Sequence, residues 1–369
     1  ARPGTDFYTT TVSAACGGTT TLIPFARQIK GRSLREAVEE YRQKPIGKAV
    51  IDYAYHLIVA DPTAQVLGQE VPSLIEEGYT SIKVYMTYQA LMLSDYQTLD
   101  VMSVGRRHGA MMMIHAENAD CIVWLTEKLL ESGRVAPKFK GIAHQPPVER
   151  EAAHRAITLD EIADVPILIV HVVTGEAAEM IRWAQSRGLK VFGETCPQYL
   201  FLNENDLDKD GMKGAKCICA PPPGTSENQA ALWHAMETGV FDVYSSDHAA
   251  FRYDDPKGKL VHGPTPPFNR VTNGVPEVET RLPLLFSRAL TTDGIDLNQV
   301  VAMSATNPAK IYGLYPRKGT IGVGSDADFA IWNPDRRMTT SIDTLHDGMD
   351  YTPYEGLEVQ GWPDVTVSR

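Results

Sequence analysis

Seven short runs of β-forming residues recur along the chain, each separated from the next by a stretch with helical spacing. They are TTTLIPF (19–25), KAVIDYAYHLI (48–58), SIKVYM (81–86), AMMMIHAE (110–117), VPILIVHVV (165–173), LKVFGETC (189–196) and FDVYSSDHA (241–249). Between them lie helix candidates such as SLREAVEEYRQK, VPSLIEEG, YQTLDVMSVGRRHG, AEMIRWAQSRG and NQAALWHAME, several of which end at glycine, as helices commonly do. Such alternation demands parallel strands joined by helical crossovers. Many of the runs are apolar at consecutive positions, as strands buried on both faces must be. The expected fold is therefore α/β, a TIM-like (β/α)8 barrel that lacks its first strand in this chain. The chain opens instead on a helix, with Asp6 placed to cap FYTTTVSAA and Gly17-Gly18 placed to stop it. After the last barrel helix, NPAKIYGL, the segment RKGTIGVGSDADFAIWNPD carries turn residues and alternating apolar positions. The expected organisation is a barrel over residues 1–314 and a C-terminal β extension over 315–369, part of a small β-sandwich.

Composition narrows the function classes. With 369 residues, 43% hydrophobic and 22% charged, the chain can bury a substantial core. Its net charge of -11 argues against nonspecific binding of nucleic acid or of an anionic membrane. No apolar run is long enough to span a bilayer and no secretory signal opens the chain, so a cytoplasmic location is expected. Cys16, Cys121, Cys196, Cys217 and Cys219 are an odd number without a paired CxxC pattern, which suits reduced thiols. The apolar context of Cys217 and Cys219 fits core residues better than ligands.

In SIKVYM, Ile82, Val84 and Met86 alternate with Lys83, Tyr85 and Thr87, so Lys83 sits in the middle of a strand. A strand lysine ordinarily faces solvent or lays its stem along apolar surface. In a barrel, however, chemistry gathers at the carboxyl ends of the strands. Lys83 lies on the third run, His115 ends the fourth, His171 the fifth and Asp247 the seventh. Taken singly, each histidine fits a core residue bonded to a carbonyl, and Asp247 fits a helix cap. Taken together, three metal-competent side chains and a buried amine at one end of successive strands are hard to explain as packing, because each costs desolvation. An ammonium is a poor metal partner. Burial lowers a lysine's pKa, and a neutral amine can add carbon dioxide to give a carbamate whose two oxygens bridge two metal ions.

These residues sit in segments that resemble the cyclic amidohydrolases, specifically the dihydropyrimidinase and D-hydantoinase family. The matching segments are AACGGTTTLIPF, SIKVYMTYQ, HAEN, EAAHRAI, IVHVVTGEAA, GETCPQYLFL, SSDHAAF, NGVPEVETRLPLL, SATNPAKIYGLYPRKGTIGVGSDADFAIWNPD and YTPYEGLEVQGWP, in family order over nearly the whole chain. The resemblance implies a binuclear metal site with a carboxylated lysine, Lys83. His115 and His171 would bind the second of two divalent ions, zinc or alternatively manganese. Asp247 would bind the first ion and shuttle a proton, Tyr88 would polarise the substrate carbonyl, and Asn273 would hydrogen-bond the cyclic amide. Ala220, in APPP, stands where the family has the serine of SPP, a contact made through backbone and so a modest change in substrate fit. The implied reaction is hydrolytic ring opening of hydantoins or dihydropyrimidines to N-carbamoyl amino acids, by a homo-oligomer, a tetramer by resemblance.

One departure is larger. The family places a His-x-His pair at the end of the first barrel strand, and none of the ten histidines here forms one. With that strand missing as well, the chain is expected to begin inside the family's barrel, as a truncated form with too few ligands for the first ion. Two alternatives follow. One is a non-catalytic scaffold of the dihydropyrimidinase-related kind, against which Lys83, His171 and Asp247 argue. The other is a sibling amidohydrolase such as allantoinase or dihydroorotase, against which Tyr88 and NGVPEVE argue.

Overall fold

The computed structural model describes residues 6–368. Its main sheet contains β1 (Phe25–Arg27), β2 (His56–Ile58), β3 (Ser81–Tyr85), β4 (Met111–His115), β5 (Ile167–Ile169), β6 (Val191–Thr195) and β7 (Val243–Tyr244). All seven are parallel and lie side by side in chain order. Six of the seven runs read from the sequence thus supply one strand each, trimmed at its ends, whereas the first meets its strand only at Phe25 and the strand continues past it to Arg27.

Two runs expected as single strands are interrupted. Thr21–Leu22 pairs with Asp52–Tyr53 in a small parallel ladder of its own, and β1 and β2 begin only at Phe25 and His56. The backbone amides of Asp52, Ala54 and His56 donate in turn to the carbonyls of Thr20, Leu22 and Pro24. Pro24 has no N–H to return, so the ladder breaks there.

Alternation along the strands sorts side chains into two layers. Ile82 and Val84 of β3, Met112 and Ile114 of β4 and Ile167 and Ile169 of β5 face the helices and join the largest core cluster. Met111 and Met113 of β4, Leu168, Val170 and Val243 form a second, inner cluster with Phe25 and Phe192 packed against it. Because side chains from the first, fourth, fifth, sixth and seventh strands share one interior, the sheet is curled as in a barrel. Lys83 pairs in register with Met113, and Tyr85 with His115. Both therefore belong to the inner layer, which is why a lysine stands mid-strand at only 3% exposure.

The helices form where the sequence gives them starts and stops. Asp6 accepts from the Thr9 amide in a capping box, and helix Phe7–Cys16 ends at Gly17. A Cβ at Gly17 would lie 2.2 Å from the Glu279 carbonyl oxygen, so only glycine fits. Helix Asp95–His108 starts at Ser94, whose hydroxyl accepts from the Gln97 amide, and closes on Gly109 at φ 74°. It packs Val101, Met102 and Val104 into the outer core. Ile114, fully buried between Val84 and Ile169, is central to that layer. Ile114→Ala is expected to cost about 2–5 kcal/mol, read as a lower denaturant midpoint at unchanged slope.

Beyond the barrel, β8 (Phe329–Thr339) pairs antiparallel with β9 (Glu358–Val367). Trp332 stacks on Phe286 of helix Arg281–Thr291 at 4.3 Å between ring centroids. Lys318 is held by Asp52, Asp326 and Asp328, a charged tie between this segment and the strand ladder. All five cysteines are free, with Cys217 and Cys219 buried. Among the described residues no helix is long and apolar enough to cross a membrane.

Candidate active site

The inner layer turns polar at the carboxyl ends of β3 to β7. Lys83 lies 4.5 Å from the Phe25 ring centroid and 5.1 Å from that of Tyr85. His115 stacks on Tyr85 at 5.1 Å and meets the His171 ring edge-on at 4.4 Å. Tyr88 lies 5.2 Å from His115. Asp247, three residues beyond β7, acts electrostatically on Lys83, Tyr88 and Glu194. Lys83, His115, His171, Asp247 and Tyr88 thus share one mouth.

The backbone is bent to achieve this. Tyr88, His171 and Asp247 have φ of 69°, 44° and 45°, and the fourth described non-glycine residue with positive φ, Asp164, ends a helix. Left-handed backbone is uncommon for such side chains and concentrates where function requires it. At His171 the effect is visible. Strict alternation after Val170 would send residue 171 to the helix side, where Val172 packs. The positive φ shifts the phase and brings the imidazole against His115.

Hydrogen bonds set the roles open to each group. His115 Nε2 pairs with Glu117 Oε2 at 2.8 Å, and Glu117 Oε1 with His144 Nδ1 at 2.5 Å. Burial opposes charge on Glu117, yet His144 and His115 hold its carboxyl well below the usual range. A carboxylate on one ring nitrogen fixes the tautomer and leaves Nδ1 of His115 for another partner, the arrangement typical of a metal-ligating histidine. His171 is 3% exposed, and neither ring nitrogen has a hydrogen-bond partner. Burial, His115 and Lys83 keep it neutral, the form that binds metal. Two buried nitrogens without partners carry a desolvation cost that a bound cation would remove.

Lys83 corrects one expectation. Burial pulls the amine down, but Tyr85, Asp247 and Glu194 together raise its pKa above the ordinary value. Burial alone therefore does not neutralise it. Glu194, which no sequence motif singles out, accepts from the His171 amide at 3.2 Å and is pushed up to about 7 by burial. Tyr88 is raised well above its ordinary value by burial and the nearby acids, so it stays a hydroxyl donor.

Two further loops close on the mouth. Ala249 N, just past Asp247, donates to Val275 O at 3.1 Å, and Gly274 N donates to Ile218 O at 3.0 Å. The segments carrying Asp247, Asn273 and Ala220 are thereby laced together. Asn273 Oδ1 is buried without a partner.

Two other sets of three ligand-type side chains lie within 4.8 Å of one another among the described residues, Cys16 with Glu279 and His346, and Asp52 with Asp326 and Asp328. The first is satisfied internally, since Glu279 accepts from Ser13, the His346 amide and His346 Nδ1. The second is filled by Lys318. His115, His171 and Asp247 face one mouth without closing into such a set.

Residues 6–369 match the amidohydrolase family. A D-hydantoinase of Rhizobium radiobacter is 40% identical over 98% of this chain and 78% of its own length. A D-hydantoinase of Geobacillus stearothermophilus is 41% identical over 99% of this chain and 77% of its own. The crystal structure of a dihydropyrimidinase from Brevibacillus agri superposes with a TM-score of 0.95 at 39% identity, over 98% of this chain and 78% of that one.

Proposed function

Because the chain belongs to the amidohydrolase family, among its cyclic amide hydrolases of the D-hydantoinase and dihydropyrimidinase kind, we propose that it opens hydantoins and dihydropyrimidines to N-carbamoyl amino acids. The observation that carries this reading is the left-handed backbone at Tyr88, His171 and Asp247, three strained non-glycine residues turned to one mouth.

His115, through the nitrogen not held by Glu117, and His171 are the residues that would hold one divalent ion. Lys83, as a carbamate, would also reach that ion, and with Asp247 it would contribute two ligands to a second, fewer than a closed zinc site takes. Zinc is the first choice for these donors, with manganese as the alternative. Bound there, the ions supply a water nucleophile at neutral pH and draw charge from the substrate carbonyl.

The chain's own residues do the rest. Asp247 takes the proton as water adds to the ring carbonyl, then delivers it to the ring nitrogen as the C–N bond breaks. Tyr88 donates its hydroxyl to the carbonyl oxygen as negative charge gathers there. Asn273 Oδ1 accepts from the ring amide, and the backbone at Ala220 lines the same pocket. The reading includes a cytoplasmic homotetramer.

Prolonged chelation is expected to abolish ring opening, and zinc or manganese added with bicarbonate to restore it. The decisive assay compares hydantoin, dihydrouracil, allantoin and dihydroorotate side by side, with metal content per chain. Turnover of the first two with bound metal supports the proposal. Preference for allantoin or dihydroorotate moves it to a sibling chemistry, and metal-free protein inert on all four sinks it.

A further inference from the structure

Lys259 is a lysine with no exposed surface, and nothing in the chemistry above uses it. Its Nζ donates to the carbonyl of Ile218 and, at 2.9 Å, to that of Thr272. Ile218 stands two residues before Ala220, and Thr272 immediately before Asn273. Its backbone is tied as well: Lys259 N donates to Arg252 O at 2.8 Å, and its carbonyl accepts from Thr272 N at 3.0 Å. The Thr272 hydroxyl reaches Gly258 O at 3.0 Å. Ile218 O also accepts from Gly274 N, so one carbonyl takes both the amine and the amide beyond Asn273.

We propose that Lys259 is a positioning residue for substrate recognition, a clasp whose amine holds the Ala220 loop to the Asn273 loop at the spacing a cyclic amide needs. The proposal rests on the reading that these two loops bind the substrate ring.

The chemistry of the pair favours this role. Among the described residues no carboxylate forms an ion pair with Lys259. Burial pushes the amine down to about 7, against the opposing pull of the Cys219 and Cys217 thiols and with added repulsion from Lys140. In either protonation state Nζ carries at least two N–H groups, and two carbonyls receive them. Burying this lysine carries a cost that packing alone would avoid, since an apolar side chain would fill the same volume more cheaply. Joining two carbonyls on separate loops is what an apolar side chain cannot do.

The test uses the metal-loaded enzyme. Lys259→Ala removes the side chain beyond Cβ and leaves space matching n-propylamine. The variant is expected to raise KM for hydantoin about tenfold, the loss of one to two buried hydrogen bonds, with kcat within threefold and metal content unchanged. Added n-propylamine is expected to recover KM, whereas n-propanol recovers it less. Amide hydrogen exchange gives a readout independent of turnover: residues 217–221 and 271–275 exchange faster in the variant and slow again with the amine. If the wild-type enzyme turns over no cyclic amide but exchange responds in this way, the clasp stands and the substrate reading falls. If exchange of both loops is unchanged, or KM is unchanged in an active variant, the clasp is wrong. Should the alanine variant fail to fold, Lys259→Met fills the volume without donors, and the same KM rise and loop exchange are expected from it; a wild-type KM in that variant refutes the proposal.

Discussion

Asp247→Asn is expected to lower kcat for ring opening by about 10²–10⁴-fold while leaving the folded structure in place. The amide has the shape of the carboxylate but neither its charge nor its basicity, so proton transfer to the leaving nitrogen loses its carrier. The choice of asparagine follows from the backbone. Asp247 sits at φ 45°, and asparagine tolerates left-handed backbone about as well as aspartate does. Alanine there would add strain to the loss of the carboxylate and confuse the two effects. Kinetics on hydantoin, metal content per chain and the thermal midpoint together check the prediction. A variant that keeps kcat within threefold of wild type would remove Asp247 from the proton path.

The positive φ at Asp247 and at His171 is a property that local sequence pattern does not carry. The strand runs and their order were legible because period-2 alternation, apolar continuity and glycine stops are local properties. His115 was legible as the last residue of a strand, and Lys83 as a mid-strand amine whose inward direction follows from its register with Met113. What alternation could not give is the direction of His171. That depends on a positive φ at a histidine, and no glycine or Asx signal marks it in IVHVV. Glu117, His144 and Glu194 escaped for another reason. Each is an ordinary carboxylate or imidazole in sequence, and its role is set by partners in space, such as the 2.5 Å contact between Glu117 and His144 across 27 residues. The charge of Lys83 is hidden from the sequence for the same cause. Burial lowers the amine, but the opposing pull of Tyr85, Asp247 and Glu194 exists only once the strands are assembled.

Assembly also explains why the loops beyond the strands matter as much as the strands. Asp247, Asn273 and Ala220 come from separate segments, and backbone hydrogen bonds from Ala249 to Val275 and from Gly274 to Ile218 fix their spacing. A side chain placed between those segments would disturb all three at once.

Gly274→Ala is therefore expected to be the most damaging single methyl in the molecule's mouth. Gly274 holds φ 128°, where L side chains are strained, and a Cβ there would lie 2.4 Å from Ala249 O and 2.5 Å from Ala249 Cβ. Neither neighbour is the end of a flexible chain, so the loops must part. Backbone strain of about 1–3 kcal/mol and overpacking of about 1–3 kcal/mol add to a loss that is large beside a net stability of about 5–15 kcal/mol. Moving Val275 away from Ala249 also moves Asn273 away from Asp247, so the surviving folded fraction should bind substrate poorly as well. Gly263→Ala separates the two causes. Gly263 has φ 112° with nothing within 4 Å of where a Cβ would stand, so it carries the backbone term without the collision. Denaturant midpoints for the two variants should differ by the steric term alone, and KM should rise only for Gly274→Ala. Equal midpoints would mean that the Ala249 segment yields freely, and that the lacing of these loops does not hold the pocket in shape.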